Sequence, residues 1–258
     1  MKFDVVADKL RGIPNMGPSE GKLVYQHIID NGVIDVLELG TAHGVSAAYA
    51  AAALDELGRG RVVTVDSRIA TASRDPQPGD VLRRCGLDQL VERVLVDDSS
   101  YTWWLKQRVA EQSDEDGNCE PLFDFCYLDG AHNWTIDGLA VILVEKLLRR
   151  GGWLLLDDLD WFYEPVKSTF GPGQGPRDLN LSTAECSEPH IRAVYELLVK
   201  QHPSFTTFYE QGNQWGWAKK DPDAERSLTV RRTMGAASVV DSAVRKARRV
   251  IGSASGRS

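Results

Sequence analysis

Two stretches of the sequence place acidic side chains directly after apolar runs. Asp129 follows FDFCYL and opens the motif D-G-A-H, while Asp157 and Asp158 follow WLLL. If these runs are neighbouring parallel strands, the three carboxylates meet at one sheet edge and repel one another unless protons or a cation neutralise them. Because oxygen-only ligation favours Mg²⁺, Ca²⁺ or Mn²⁺ over zinc, the pattern predicts a metal site formed by Asp129, Asp157 and Asp158. The alternative is that Asp129 or Asp158 caps the segment that follows it.

A glycine-containing loop is a second candidate for chemistry. The segment ELGTAHG runs from Glu38 to Gly44, where an apolar run gives way to an Ala-rich helical pattern. In doubly wound sheets this position is the ligand crevice, and the helix N-terminus supplies N–H donors. Ala42 and Val45 occupy the second and third glycine positions of a dinucleotide fingerprint. The spacing instead resembles E-x-G-x-x-x-G of S-adenosylmethionine (SAM) methyltransferases, and the alternative is an ordinary glycine turn. The candidate cofactor contacts are Glu38, Gly40, Thr41 and Gly44.

Two further strand ends carry polar side chains. Asp66 ends the run RVVTVD and could accept hydrogen bonds from both ribose hydroxyls of an adenosine ligand, which suits NAD and SAM equally. Asp97, Asp98 and Ser99 follow VERVLV, in the position where similar methyltransferases contact adenine, and Asp98 and Ser99 are the candidate contacts. The alternative for this motif is a solvated acidic turn.

Short apolar runs alternate with helical patterns along the first part of the chain. The predicted strands are Val33–Leu39, Arg61–Asp66, Val91–Val96, Phe123–Asp129 and Trp153–Asp157. The predicted helices are Val45–Leu57, Val81–Cys85, Tyr101–Gln112 and Thr135–Leu148, the last with Arg149 and Arg150 at its negative end. Alternation of this kind predicts an α/β, Rossmann-like fold with a mostly parallel sheet and helices on both faces.

The pattern changes after Asp158. Leu159–Glu188 is a long stretch rich in Gly and Pro that opens with Trp161, Phe162 and Tyr163. Loops of this length in a compact domain are usually functional, so we expect a substrate lid whose aromatic residues form a wall, with core packing as the alternative. The chain then predicts a helix over His190–His202 and a hairpin of Phe205–Glu210 and Gln214–Lys219.

The composition of the chain disfavours several classes of protein. The 258 residues carry a net charge of −7, with about +4 from Asp221 onward and about −11 before it. An acidic body disfavours a nucleic-acid partner. Four widely spaced cysteines without C-x-x-C predict reduced thiols. The charged N-terminus and the absence of an apolar run of about 18–20 residues predict a cytoplasmic protein without membrane insertion.

The ordered series of motifs resembles a known family. ELGTAHG, VTVDS, LDGAHNW and GGWLLLDDLDW are similar to the metal-dependent O-methyltransferases of the class I SAM fold over roughly residues 15–220. D-G-x-H followed by D-D is the pattern of a branch that includes macrolide-sugar and polysaccharide O-methyltransferases and a cephalosporin-hydroxylase-like group. The resemblance implies a seven-stranded sheet of order 3-2-1-4-5-7-6. It implies a domain over residues 1–220, with lids near 1–32 and 159–189, and a basic extension over 221–258.

The resemblance also implies roles for the site residues. Asp129, Asp157 and Asp158 would hold Mg²⁺ or Mn²⁺, Asp129 would also contact the cofactor, and His132 would be the general base. SAM would donate the methyl group, leave as S-adenosylhomocysteine (SAH), and methylate a hydroxyl of a small molecule or oligosaccharide. His132 as a structural residue is the alternative for that side chain.

Several functions stay open at this level. A sugar or glycoside hydroxyl is the expected acceptor, and a phenol or catechol is the runner-up. A nicotinamide-dependent oxidoreductase and a non-catalytic SAM-binding protein are the alternatives from other classes. A homo-oligomer is possible, and the basic extension could serve a partner subunit, an anionic surface or neither.

Overall fold

One sheet organises the chain. A computed structural model describes residues 2–97, 99–166, 180–212 and 214–223, and their helices and strands belong to one compact unit over residues 1–225. The strands are β1 (Asp35–Leu39), β2 (Arg61–Ser67), β3 (Val91–Val96), β4 (Phe123–Leu128), β5 (Leu148–Leu156), β6 (Phe205–Gln211) and β7 (Trp215–Lys220). Their order is β3-β2-β1-β4-β5-β7-β6, which confirms the predicted topology.

The first five strands are parallel, so their carboxyl ends share one edge of the sheet. Leu39 pairs with Val65 of β2 and with Leu128 of β4, and Leu128 pairs in turn with Leu156 of β5. β7 runs antiparallel to both β5 and β6. This register brings the residues that follow β1, β2, β4 and β5 together, as the sequence predicts.

Helices cover both faces of the sheet. They are α1 (Phe3–Lys9), α2 (Pro18–Asn31), α3 (Val45–Leu57), α4 (Arg68–Ala72), α5 (Pro78–Cys85), α6 (Tyr101–Gln112), α7 (Trp134–Leu147), α8 (Thr183–Cys186) and α9 (His190–Ala193). One core packs α1, α2, α3 and α5 on the sheet, and a second packs α6, α7 and α9 on the opposite face. Burial of both faces explains why the strands read as nearly continuous apolar runs.

The boundary between α7 and β5 differs from the prediction. The helix ends at Leu147, and β5 begins at once with Leu148, so Arg149 and Arg150 lie in a strand and not at a helix end. Arg149 instead pairs with Asp35 at 2.9 Å and Asp124 at 3.0 Å across the neighbouring strands. These two ion pairs, and not the negative end of a helix, stabilise the charge of Arg149 in β5.

The C-terminal part follows the prediction with one change of helix type. The helix predicted over His190–His202 is α-helical only to Ala193 and continues as a π-helix over Val194–Val199. The predicted hairpin is present, with Gly212 at φ 63° in its turn. Residues 167–179 of the expected lid and residues 224–258 of the basic extension lie outside the described residues.

Two predictions of composition can be set against the structure. The four cysteines are free thiols. In the part of the chain that the structure describes, no helix combines the length and the apolar character needed to cross a membrane.

Candidate functional site

A cavity of about 480 Å³ lies at the carboxyl edge of the sheet. Its walls include these residues that the sequence predicted: Gly40, Asp66, Ser99, Asp129, His132 and Asp158. Glu38, Thr41, Gly44 and Asp157 do not line it, and Asp98 lies outside the described residues. The cavity is therefore bounded by the glycine loop on one side and by the D-G-A-H and D-D motifs on the other.

The glycine loop packs directly against the end of β4. Gly40 has φ 95°, and a Cβ atom at this position would lie 1.8 Å from the main-chain oxygen of Asp129. Only glycine fits both that backbone conformation and that close approach. Gly44, at φ 79°, precedes α3. The two glycines let the loop turn tightly beside the acidic cluster.

Glu38 lies beneath the loop. It is 2% exposed, and its carboxyl group accepts hydrogen bonds from the hydroxyls of Ser46, at 2.5 Å, and Thr64. Burial raises the pKa of Glu38 to about 8, against the lowering effect of these hydrogen bonds. Thr41 joins the same network through its hydroxyl, 2.5 Å from that of Thr64. In this structure both residues support the loop from within the core.

Asp66 connects the end of β2 to the glycine loop. Its Oδ2 accepts hydrogen bonds from the backbone N–H groups of Thr41 and Ala42, both at 3.1 Å, and its Oδ1 accepts from that of Ser67 at 2.7 Å. Burial raises the pKa of Asp66, although these three hydrogen bonds oppose the shift. Asp66 is thus held in one orientation in the cavity wall.

The acidic edge brings a histidine between two carboxylates. His132 Nε2 lies 2.9 Å from Asp158 Oδ2 and 3.4 Å from Asp129 Oδ1. Burial acts to lower the pKa of His132, but the two carboxylates outweigh it and raise the pKa well above its usual value. Both His132, at φ 53°, and Asp158, at φ 56°, adopt the left-handed conformation in tight turns. These turns direct the two side chains toward each other.

Asp157 lies behind this group. It is 7% exposed, and its carboxylate accepts hydrogen bonds from Trp215 Nε1 and the Asp158 N–H, both at 2.7 Å, and from the Tyr127 hydroxyl. Burial, together with the charges of Asp129 and Asp158, raises the pKa of Asp157 to about 7. The structure therefore places this acid among buried donors, next to the group formed by the other two acids.

The residues at this edge fit a divalent cation. One ligand atom from each of Asp129, His132 and Asp158 lies within 4.8 Å of the others. The buried Nε2 of His132 has no hydrogen bond of good geometry. Two carboxylates that lie this close repel each other unless protons or a cation neutralise them, so Asp129 and Asp158 fit a divalent cation beside His132.

Several residues that shape the site lie outside the sequence motifs. Tyr101 donates to the buried carboxyl of Asp137 and accepts from the Ala131 N–H at 3.0 Å, which fixes the backbone beside His132. Asn15 and Arg74 line the cavity from loops. Tyr101 and Asp137 lie on α6 and α7. The sequence signal for them is a polar group on the buried face of a predicted helix.

The aromatic residues after the D-D motif also lie at the cavity. Trp161 and Tyr163 line it, and the Trp161 ring centroid is 4.9 Å from that of His132. His190, the first residue of α9, is buried with both ring nitrogens engaged. Its Nδ1 accepts from the Trp134 N–H at 3.0 Å, and its Nε2 donates to the Glu185 carbonyl at 2.8 Å.

Comparisons with known proteins agree with this site. Residues 37–159 match a family model described as a methyltransferase domain. This range contains the glycine loop, Asp66 and the acidic edge. Among curated proteins, no relative matches the sequence.

Solved structures share the fold. The O-methyltransferase from Bacillus cereus in complex with SAH is 19% identical, with a TM-score of 0.57 over 86% of this chain and 92% of that chain. The O-methyltransferase TomG from Streptomyces achromogenes, solved with SAM, is 16% identical, with a TM-score of 0.56 over 85% and 89%. A methyltransferase from Podospora anserina, bound to SAH, is 15% identical, with a TM-score of 0.56 over 84% and 86%.

Proposed function

We propose that the chain is a SAM-dependent methyltransferase of the class I fold and that it methylates a hydroxyl oxygen of a sugar or glycoside with the help of a divalent cation. The observation that carries this proposal is the meeting of Asp129, His132 and Asp158 beside the glycine-loop cavity. The family match favours methyl transfer over the nicotinamide-dependent alternative. A non-catalytic SAM-binding protein would need no such cluster.

The cofactor half of the cavity would use the loop and Asp66. The Asp66 carboxylate is fixed by three backbone N–H groups, two on Oδ2 and one on Oδ1, and of its roughly four lone-pair positions it keeps one, on Oδ1, for a ribose hydroxyl. Gly40 keeps the wall open where the methionine part of SAM would pass Asp129. Ser99, and Asp98 outside the described residues, are the proposed contacts of adenine.

Asp66→Ala should weaken SAH binding by about 10–100-fold, because hydrogen bonds to a charged group contribute about 1.5–3 kcal/mol. Isothermal titration calorimetry with SAH measures the change. Asp80→Ala is the matched control, since Asp80 is exposed, pairs with Arg83 on the same helix and does not line the cavity. An unchanged affinity in Asp66→Ala would remove Asp66 from the cofactor site.

Methyl transfer to a hydroxyl requires a base that removes its proton and a cation that lowers its pKa. Taking water, pKa ~15.7, as a stand-in for a sugar hydroxyl, an unperturbed histidine near ~6.5 faces a gap of about 9 pKa units, or roughly 12 kcal/mol. When bound, Mg²⁺ or Mn²⁺ lowers the pKa of a hydroxyl and positions its oxygen. Asp129 and Asp158 would hold the ion, with Asp157 as the proposed third acid.

His132 is the proposed base. Its ring nitrogen lies between the two carboxylates and on the cavity wall, so it can reach a hydroxyl placed in the cavity. The carboxylates that raise the pKa of His132 are the same groups that would hold the cation. Metal binding and a neutral imidazole that can accept the proton therefore belong together.

Chelation with EDTA should abolish turnover, and added Mg²⁺ or Mn²⁺ should restore it. SAH affinity should persist in EDTA, because Asp66 and the glycine loop are held by protein groups alone. Activity and calorimetry on the same chelated sample separate the two effects. Full turnover in EDTA would return Asp129 and Asp158 to a structural role.

The acceptor side of the cavity favours a ring-shaped substrate. Trp161 and Tyr163 present aromatic surface next to His132, which suits the face of a sugar or an aromatic ring. TomG, a structural neighbour, is described as involved in tomaymycin synthesis. Labelled SAM offered with a panel of saccharides and phenols tests the acceptor. Label in phenols alone would replace the sugar proposal with the phenolic one.

A further inference from the structure

Arg74 is a cation in the cavity wall that also contains Asp66, and its charge lowers the pKa of that acid. It lies in the loop between α4 and α5, is half-buried, and lines the cavity. Its buried Nε has no hydrogen-bond partner. Arg68, on the preceding helix, pairs with Asp97 at 2.6 Å, whereas Arg74 forms no ion pair within the described part of the chain. A buried guanidinium nitrogen without a partner is costly, and an anionic ligand group would satisfy it.

Asn15 supplies a second donor to the same cavity. It lies between α1 and α2 at φ 93°, and its Oδ1 is 2.5 Å from Nδ1 of the buried His43. Burial lowers the pKa of His43, and the charge of Arg74 lowers it further, while the backbone and the charge of Asp75 oppose the shift. With Oδ1 accepting from the ring, the amide Nδ2 of Asn15 keeps its two N–H groups for a ligand.

The position of Arg74 relates this pair of donors to the cofactor. Arg74 and Asn15 line the same cavity as Asp66 at the end of β2 and Gly40 of the glycine loop. Asp66 is the proposed acceptor for a ribose hydroxyl. An anionic group bound by Arg74 would therefore belong to a molecule that also carries a ribose in this cavity.

We infer that Arg74 and Asn15 bind the carboxylate at the amino-acid end of the methyl donor. The inference rests on the proposed SAM site and adds residues that determine donor specificity. Arginine suits this role because its planar guanidinium matches a carboxylate with two parallel hydrogen bonds. His43 is a positioning residue, since it acts through Asn15.

Two adenosine ligands separate the carboxylate from the rest of the donor. SAH carries the amino-acid end, and 5′-methylthioadenosine has the same adenosine and thioether sulfur without it. Arg74→Gln should weaken SAH binding by about 10–100-fold and change 5′-methylthioadenosine binding by less than about twofold. Arg68→Gln is the matched control, because it removes the same charge outside the cavity and should leave both affinities unchanged.

A second variant tests the inference without removing a side chain. Asn15→Asp is nearly isosteric, tolerates the left-handed backbone and can still accept from His43. It removes the amide N–H donors that would face the carboxylate and places a negative charge there, so SAH should bind about tenfold more weakly, the effect of losing one hydrogen bond to a charged group. Binding of 5′-methylthioadenosine shows that the variant is folded.

Equal weakening of both ligands in Arg74→Gln would overturn the inference, because Arg74 would then support the adenosine or the cavity wall. Unchanged SAH affinity in Arg74→Gln would overturn it as well. If the wild-type protein binds neither ligand, the proposed function itself fails. The wild-type titration therefore distinguishes that failure from a failure of the inference alone.

Discussion

His132→Ala should lower kcat by about 10²–10⁴-fold, the usual contribution of a positioned general base. The imidazole lies on the cavity wall between Asp129 and Asp158, where it can reach a bound hydroxyl. SAH and Mn²⁺ affinities should stay near those of the wild type, because the proposed donor contacts and the acids remain. Steady-state kinetics, calorimetry with SAH and titration with Mn²⁺ followed by electron paramagnetic resonance measure the three quantities.

The Mn²⁺ titration of His132→Ala distinguishes a general base from a metal ligand. The geometry allows His132 to be either a base or a metal ligand, since its Nε2 and an oxygen of each neighbouring acid lie within 4.8 Å. A large loss of Mn²⁺ affinity in His132→Ala would make the ring a ligand. An active variant with unchanged metal affinity would show that the cation and water suffice to remove the proton.

The predictable part of this site is the part built from regular elements. Parallel strands buried on both faces produce uninterrupted apolar runs, and the residue after each run must lie at the same edge. Gly40, Asp66, Asp129 and Asp158 were therefore predictable as neighbours. The cavity between them follows from the sheet order. The alternation of strands and helices predicts the parallel sheet, and the family resemblance implies its order.

The less predictable part depends on contacts between distant segments. Asp157 has the same residue type and the same strand end as Asp158, yet it accepts from Trp215, on a strand that comes much later in the chain. Asn15 and Arg74 come from irregular segments, where no periodicity indicates which way a side chain points. Arg149 is similar, because strand acids far away in sequence stabilise it.

Asp158→Ala should abolish metal-dependent turnover and weaken Mn²⁺ binding beyond the 10–100-fold that loss of a residue outside the metal's ligand set typically costs. The reason is that Asp158 Oδ2 faces the cavity and His132, so it is a proposed direct ligand. SAH affinity should change little. Asp160→Ala is the matched control, since Asp160 is two residues away, exposed and paired with Arg192.

A substitution of Asp157 would test the same site less directly, because it would also change the stability of the fold. Asp157→Ala would leave Trp215 Nε1 and the Tyr127 hydroxyl without their buried acceptor, which costs about 1–3 kcal/mol for each group. It should therefore lower the melting temperature together with metal affinity. Asp158→Ala, at a half-buried position, should lower metal affinity with a smaller loss of melting temperature, which comes from placing alanine at φ 56°. Asp158→Ala with wild-type Mn²⁺ binding would remove the D-D motif from the metal site, because the acid that faces the cavity would then have no role in it.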